Sequence, residues 1–312
     1  MSEPLVSVIV GVYNKERFVG DCLRSVLAQT FGDFELIVVD DASTDESAQV
    51  IQTLRDPRIR FVQRSVNSGL PAVPRNEGIR MARGEYLAFL DGDDAWMPEK
   101  LEKQVAHMVA HPEHPLTHTL CQVMDDEGRF LRLRHGLEQL PSGDCLERLL
   151  EHCWISISSV MVRKELVGQI GGFDESPALK AREDYDWLLR AAVVARFGVI
   201  LECLASYRAG PDSISHAAGN WRSTPRDYLS HRDALRNIGR WGGKIGRGKL
   251  EGILLSAAEE NAYFWRERGE HGKSAWFAWE MVRLSPGSFR GWRQLVAAGL
   301  RRRSRVKAAA GA

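Results

Sequence analysis

Four short apolar runs in the first third of the chain restrict what it can fold into. Residues 6–12, 34–39, 59–63 and 86–90 are rich in β-branched or aromatic side chains and too short for buried helices. After the first run, Phe18, Cys22, Leu23, Val26 and Leu27 recur at helical spacing, and residues 43–54 and 72–83 repeat the helical pattern. Strands and helices in alternation predict parallel strands joined by crossover helices, a nucleotide-binding type of layout. The run 34–39 is apolar at nearly every position, as a sheet covered on both faces requires.

The pattern changes near Met97. A helix is expected to Ala110, then weaker strands within 116–124, a hairpin turn at Asp126-Glu127-Gly128, a strand over 158–162, a strong helix over 182–195 and an irregular strand over 199–208. Beyond Asn220 the chain reads as helical, and 250–268 with 273–284 form a hairpin ending at Pro286. The expected division is an α/β domain over 1–220 and a helical extension over 221–312. In the final helix Phe289, Trp292, Leu295, Val296 and Leu300 share one face, directly before the basic run 301–307. Packing on the protein itself and docking at an anionic membrane surface both fit that pattern.

Hydrophobic residues at 44% and charged residues at 27% are ordinary for a soluble globular protein. The formal charge of +1 provides no global field, so no nucleic-acid partner is expected. Cys22, Cys121, Cys145, Cys153 and Cys203 are scattered without a C-x-x-C pair, which suits reduced thiols in a cytoplasmic protein. The N-terminal apolar run lacks a basic flank and reads as a strand rather than a signal peptide. No apolar stretch reaches the roughly 18 residues that a membrane-spanning helix needs.

Ligands of such layouts gather where strands end, because loops there present side chains without breaking the sheet. Three polar clusters fall at such ends: Tyr13-Asn14, Asp40-Asp41 and Asp91-Gly92-Asp93-Asp94. Asp and Gly also favour plain turns. Crowded carboxylates, however, repel one another unless a cation joins them, and hard oxygen ligands suit Mg²⁺ or Mn²⁺. Ser43 or Thr44 is expected to cap the next helix. An acidic pair at 40 and 41 suits a hydrogen bond to a base or ribose, and Tyr13 has a flat face on which a base can stack.

The stretch VSVIVGVYNKERFVGDCLRSVLAQTFGDFELIVVDDASTDES, followed by NSGLPAVPRNEGIRMARGEYLAFLDGDDAWMPEKL and later by IGGFDES and REDYDWLLR, resembles the family 2 glycosyltransferases. The resemblance covers roughly residues 4–216 and leaves the last third uncovered. It implies the α/β GT-A fold of nucleotide-diphospho-sugar transferases, a Rossmann-like mixed sheet, here with a C-terminal helical extension. It also implies inverting transfer of a sugar from a nucleotide-diphosphate donor, UDP by family frequency, to a hydroxyl of a saccharide or lipid-linked acceptor, with Mn²⁺ or Mg²⁺. Growth of bacterial surface polysaccharide at the cytoplasmic face of a membrane suits such an enzyme.

Carried over by position, the resemblance implies that Gly11 and Tyr13 line the base pocket, that Asp41 hydrogen-bonds the base and that Arg75 approaches the donor's phosphates or ribose. Asp91 and Asp93 occupy the D-x-D pair, Asp93 as direct metal ligand and Asp91 nearer the sugar and ribose. His216 is a candidate third metal ligand, against the plainer reading of a surface histidine. Asp184 matches the catalytic base, with Glu183, Trp187 and Arg190 on the acceptor side. Gly11-Val12 departs from the family's frequent Pro-Thr, at a site contacted mainly through backbone. Attack by a hydroxyl needs a carboxylate to take its proton as the bond forms, which suits Asp184. Glu183 and Asp184 also open a helix, whose dipole alone would favour acids there.

A sugar-nucleotide nucleotidyltransferase would carry a Gly-rich loop after the first strand, and Val12-Tyr13-Asn14-Lys15 is not one. A phosphoacceptor signalling domain needs its acidic pair after the first strand, whereas here it follows the second. An inactive sugar-nucleotide-binding relative is disfavoured by intact Asp41, Asp91, Asp93 and Asp184. Residues 243–249 have P-loop spacing, but Leu250 stands where Ser or Thr must reach a metal, so a loop between helices is expected.

Overall fold

The apolar runs of the first ninety residues become the parallel half of one mixed sheet. In the computed structural model, which describes residues 3–151, 153–180, 182–209, 232, 247–287 and 289–296, β1 (Val6–Val12), α1 (Val19–Leu27), β2 (Phe34–Asp40), α2 (Ser47–Thr53), β3 (Ile59–Gln63), α3 (Ala72–Met81) and β4 (Tyr86–Asp91) follow in turn. β1 lies between β2 and β4 and runs parallel to both, and β3 joins the outer side of β2 in the same direction. Every residue of β2 is buried, as its continuous apolarity required.

The second half of the sheet is built differently. β5 (Ala95–Trp96), α4 (Lys100–Ala110), β6 (Leu116–Met124), β7 (Phe130–Leu133), α5 (Leu146–Glu151), β8 (Met161–Arg163), α6 (Lys164–Ile170), α7 (Glu183–Val194) and β9 (Phe197–Arg208) complete this unit. The strand order is β3-β2-β1-β4-β8-β6-β9-β5, with β7 paired to β6 as the hairpin turn predicted. β8 is antiparallel to β4 and β6, whereas β6 and β9 run parallel.

Two expected boundaries shift, each for a local reason. The strand expected over 158–162 opens as a 3₁₀ turn, Ile157–Ser159, because the Ser159 hydroxyl donates to the Ser156 carbonyl and that of Ser158 to Asp94. The helix expected from Met97 starts at Lys100: Pro98 disfavours helical backbone at the residue before it, and the Met97 N–H bonds the Leu204 carbonyl of β9.

Two features hold the parallel half of the sheet together. Glu35, the lone charge in the second apolar run, is buried. It accepts from the Ser7 hydroxyl at 2.8 Å, Arg60 at 2.7 Å and Arg83 at 3.0 Å. Burial works to raise its pKa, but these donors outweigh burial and hold it below the usual carboxylate range. Gly78 lets α3 lie directly on β1, because a Cβ there would come within 2.4 Å of Ile9 Cγ2. Pro74 sits in the first turn of α3, where no intrahelical N–H is needed.

The chain divides into two compact units, Met1–Ser213 and Ile214–Ala312. In the second, α8 (Arg247–Glu267) and α9 (His271–Leu284) form the expected hairpin. Arg247, Gly248 and Lys249 open α8 rather than forming a loop, while 243–246 lie outside the described residues. Residues 289–296 are helical and leave Phe289, Trp292 and Val296 exposed; Leu300 and the basic run lie outside the described residues. Among the described residues no helix is long and apolar enough to cross a membrane.

Candidate active site

Parallel pairing brings three acidic or aromatic strand ends to one edge of the sheet. Gly11 stands opposite Asp91, Val12 stands opposite Asp40, and the Asp41 N–H bonds the Val12 carbonyl at 2.8 Å. Tyr13 follows with 44% of its surface exposed. The turns on either side use left-handed backbone at Asn14 (φ 51°) and Ala42 (φ 60°). For Ala42, which has no polar side chain to compensate, this conformation costs roughly 1–2 kcal/mol. The two turns are stitched together: the Asn14 N–H donates to Ser43 Oγ at 2.9 Å, and the Thr44 N–H donates to Asn14 Oδ1 at 2.8 Å.

The acidic pair divides its labour. Buried Asp40 receives the N–H and hydroxyl of Ser43 and so closes the turn. Ser43 is therefore not the cap expected of α2, which starts later, at Ser47. Asp41 is also buried, and accepts from the Ser68 hydroxyl at 2.6 Å, the Ser68 N–H at 3.1 Å and Asn67 Nδ2 at 3.3 Å, with Arg64 Nε 2.9 Å away. Its carboxylate is thus locked in place at the edge that Tyr13 leaves open.

The three aspartates after β4 also differ. Asp94 is 1% exposed. It accepts from Ser158 Oγ at 2.5 Å and from the Arg208 N–H at 2.9 Å, joining the β4–β5 turn to the 3₁₀ turn and to the end of β9. Burial, with the charges of Asp93 and Asp91, pushes its carboxyl well above the usual range. Asp91 is bound through Oδ1 by Arg75 Nη2 at 2.5 Å, and Asp93 through Oδ2 by Lys15 Nζ at 2.5 Å. Burial opposes the charge on Lys15, but the three aspartates outweigh it and raise the ammonium's pKa. Among the described residues, Asp91 Oδ2 and Asp93 Oδ1 have no hydrogen bond or ion pair. Two part-exposed carboxylate oxygens beside a backbone turn are the hard donor set that Mg²⁺ or Mn²⁺ takes, with further oxygens from water or phosphate, so these residues fit such an ion.

Arg75 connects this strand end to α7. Its Nη1 donates to Glu183 Oε1 at 2.7 Å, while Nη2 holds Asp91. Burial acts against the guanidinium's charge, but Asp91, Glu183 and Asp184 together raise its pKa further. Asp184 is half-buried in the first turn of α7 and accepts the Tyr185 N–H at 2.8 Å.

Two residues expected on the acceptor side are buried beneath a loop. Trp187 is 0% exposed, stacks on Phe173 at 5.1 Å and donates its indole N–H to the Gly171 carbonyl, so it has no surface to offer a ligand. Arg190 is buried as well, paired with Asp186 at 2.9 Å and donating to the carbonyls of Ile170 and Gly172. Both act on the loop 171–175, which Asn76 also clamps through Phe173 and Glu175. His216 falls outside the described residues.

Lys15, Ser158 and Arg208 belong to the site and were not singled out from sequence. Lys15 carried a signal, a cation two residues past Tyr13 at an acid-rich sheet edge. Ser158 and Arg208 carried none, because their partner Asp94 lies 64 and 114 positions away. Removing one member of a buried ion pair leaves the other uncompensated. Arg75→Met is therefore expected to lose about 3–5 kcal/mol in chemical denaturation, and the added Glu183→Met change to restore part of that loss.

Comparison with known proteins bears on the family and the fold. The sequence model of the family described as "Glycosyl transferase family 2" matches residues 7–153. The chain is 35% identical over 240 residues to the "Putative teichuronic acid biosynthesis glycosyltransferase TuaG" of Bacillus subtilis (strain 168), covering 75% of this chain and 90% of that one. It is 32% identical over 200 residues to the "Putative colanic acid biosynthesis glycosyl transferase WcaA" of Escherichia coli (strain K12), covering 62% and 67%. Among solved structures, S. aureus TarS 1-349 in complex with UDP-GlcNAc superposes with a TM-score of 0.63 at 23% identity, over 94% of this chain and 79% of that one. The Pyrobaculum calidifontis mannosyltransferase PcManGT, in complex with GDP-Man and Mn²⁺, gives 0.57 at 20% identity, over 96% and 87%. The mixed sheet with its flanking helices is thus the GT-A fold, and the chain belongs to glycosyltransferase family 2.

Proposed function

We propose that this chain is an inverting, metal-dependent glycosyltransferase that moves a sugar from a nucleotide-diphosphate donor to a hydroxyl of a saccharide or lipid-linked acceptor in bacterial surface polysaccharide synthesis. The observation that carries the reading is the Asp91–Arg75–Glu183 bridge. It couples a strand end suited to a donor diphosphate with the helix turn that presents Asp184. UDP is the preferred nucleotide because it is the commonest in this family, and the similarity to proteins named for teichuronic and colanic acid synthesis supports the polysaccharide role.

Asp93 and Asp91 would hold Mn²⁺ or Mg²⁺, which supplies positive charge where the departing diphosphate becomes more negative. Gly11 and Tyr13 form the floor and stacking face for the base, and the fixed Asp41 carboxylate marks the base side of the edge. Lys15 and Arg75 add cations beside the same turn, so developing phosphate charge meets preorganised positive groups. Asp184 takes the proton of the acceptor hydroxyl as that oxygen attacks the anomeric carbon, and the C–O bond to the diphosphate breaks on the opposite face. This single displacement inverts the anomeric centre. Glu183, held by Arg75, fixes the first turn of α7 and hence the position of Asp184.

Peripheral contact with an anionic membrane is supported by the helix 289–296, where Phe289, Trp292 and Val296 are exposed ahead of the basic run 301–307.

Transfer from a nucleotide-sugar is expected to need Mn²⁺ or Mg²⁺ and to stop in excess chelator; full turnover in chelator would remove the metal from the reading. Asp184→Asn should lower turnover by about 10²- to 10⁴-fold while calorimetry shows nearly unchanged nucleotide binding, and retained turnover would exclude Asp184 as the base. Truncation after Pro286 should weaken co-sedimentation with anionic vesicles, and unchanged sedimentation would assign that helix to packing.

A further inference from the structure

Side chains of types that can ligate a metal also cluster where α4 leads into β6. His107 lies in the last turn of α4, and the turn His111-Pro112-Glu113-His114 leads from that helix into β6. This turn is closed by backbone bonds from the His111 N–H to the His107 carbonyl at 2.8 Å and from the His114 N–H to the His111 carbonyl at 3.0 Å. Pro112 restricts its backbone further. One ligand atom from each of His111, Glu113 and His114 lies within 4.8 Å of the others. His111 Nδ1 is 3.1 Å from Glu113 Oε1, and His107 Nε2 is 3.2 Å from His114 Nδ1. Donor atoms sharing a tetrahedral Zn²⁺ stand roughly 3.3 Å apart, given Zn–N and Zn–O bonds of about 2.0–2.2 Å.

The location separates this cluster from the reaction edge. Leu116, two residues past His114, stands across β8 from Leu87, near the start of β4. Asp91 lies four residues farther along β4, a strand distance of about 13 Å. The donors differ too: two imidazoles and one carboxylate suit Zn²⁺ or its borderline-soft neighbours, whereas Asp91 and Asp93 offer only hard oxygen.

We propose that His111, Glu113 and His114 bind one Zn²⁺ ion, with water completing the coordination, and that His107 orients the His114 ring through the bond between their ring nitrogens. The ion clips the end of α4 to the start of β6 and has no part in sugar transfer. His111 and Glu113 are exposed and His114 half-buried, so the ion has an open path from solvent. The bare alternative is a stack of imidazoles, with ring centroids 4.6 to 5.6 Å apart, beside a surface ion pair.

The test uses the untagged full-length chain, stripped of metal with chelator and titrated with Zn²⁺ by calorimetry and with Co²⁺ by visible absorption. Asp93→Asn serves as the background that disables the hard-oxygen site. One equivalent of Zn²⁺ is expected to bind in that background, with a visible Co²⁺ band and a rise in melting temperature. His111→Ala and His114→Ala should abolish the band, and His107→Gln should weaken binding by about 10- to 100-fold. Melting in chelator monitors the fold of each variant; should His114→Ala fail to fold, the exposed His111→Ala decides. Absence of stoichiometric binding, or binding that survives His111→Ala, would overturn the site.

Discussion

The Arg75 guanidinium is the interaction on which the rest of the site depends. A buried cation is stable only when paired, and here two carboxylates supply the pairing from elements far apart in sequence: Asp91 at the end of β4 and Glu183, 108 positions away, at the start of α7. The helix that carries Arg75 is seated on β1 by Gly78, so strand, helix and guanidinium form one rigid assembly. Asp91, Glu183 and Asp184 keep their spacing because moving any one element would expose an uncompensated charge in a buried place.

The acids of the site show how position on the same edge produces different chemistry. Asp40 and Asp94 are buried and consumed by turn construction, each accepting from a serine hydroxyl. Asp91 and Asp93 lie closer to solvent and have only one oxygen committed to a cation. A run of carboxylates is therefore two sets, one that shapes the backbone and one that faces outward.

Much of this was legible in the sequence, because apolar runs and strand-end acids are local signals. The parallel half of the sheet, the hairpin at β7 and the strand-end clustering of Tyr13, Asp41, Asp91 and Asp93 all follow from such signals. The burial of Trp187 and Arg190 was not legible, because ten of the twelve residues of α7 are buried and its sequence has no exposed face to set them apart. Ser158 read as strand because β-branched and apolar neighbours surround it; only its long-range partner Asp94 turns that segment into a 3₁₀ bend. The use of Lys15 as the partner of Asp93 was equally a matter of tertiary placement, across 78 positions.

The loop 171–175 is held on one side by both functions of the Asn76 amide and on the other by Arg190 and Trp187. Gly172 is required there, since a Cβ would come within 2.4 Å of Asn76 Oδ1. Such multiple tethering means that the conformational freedom of this segment is already lost when the chain folds. A molecule resting against it would have nothing left to order, and discrimination at that wall would come from shape rather than from adaptation.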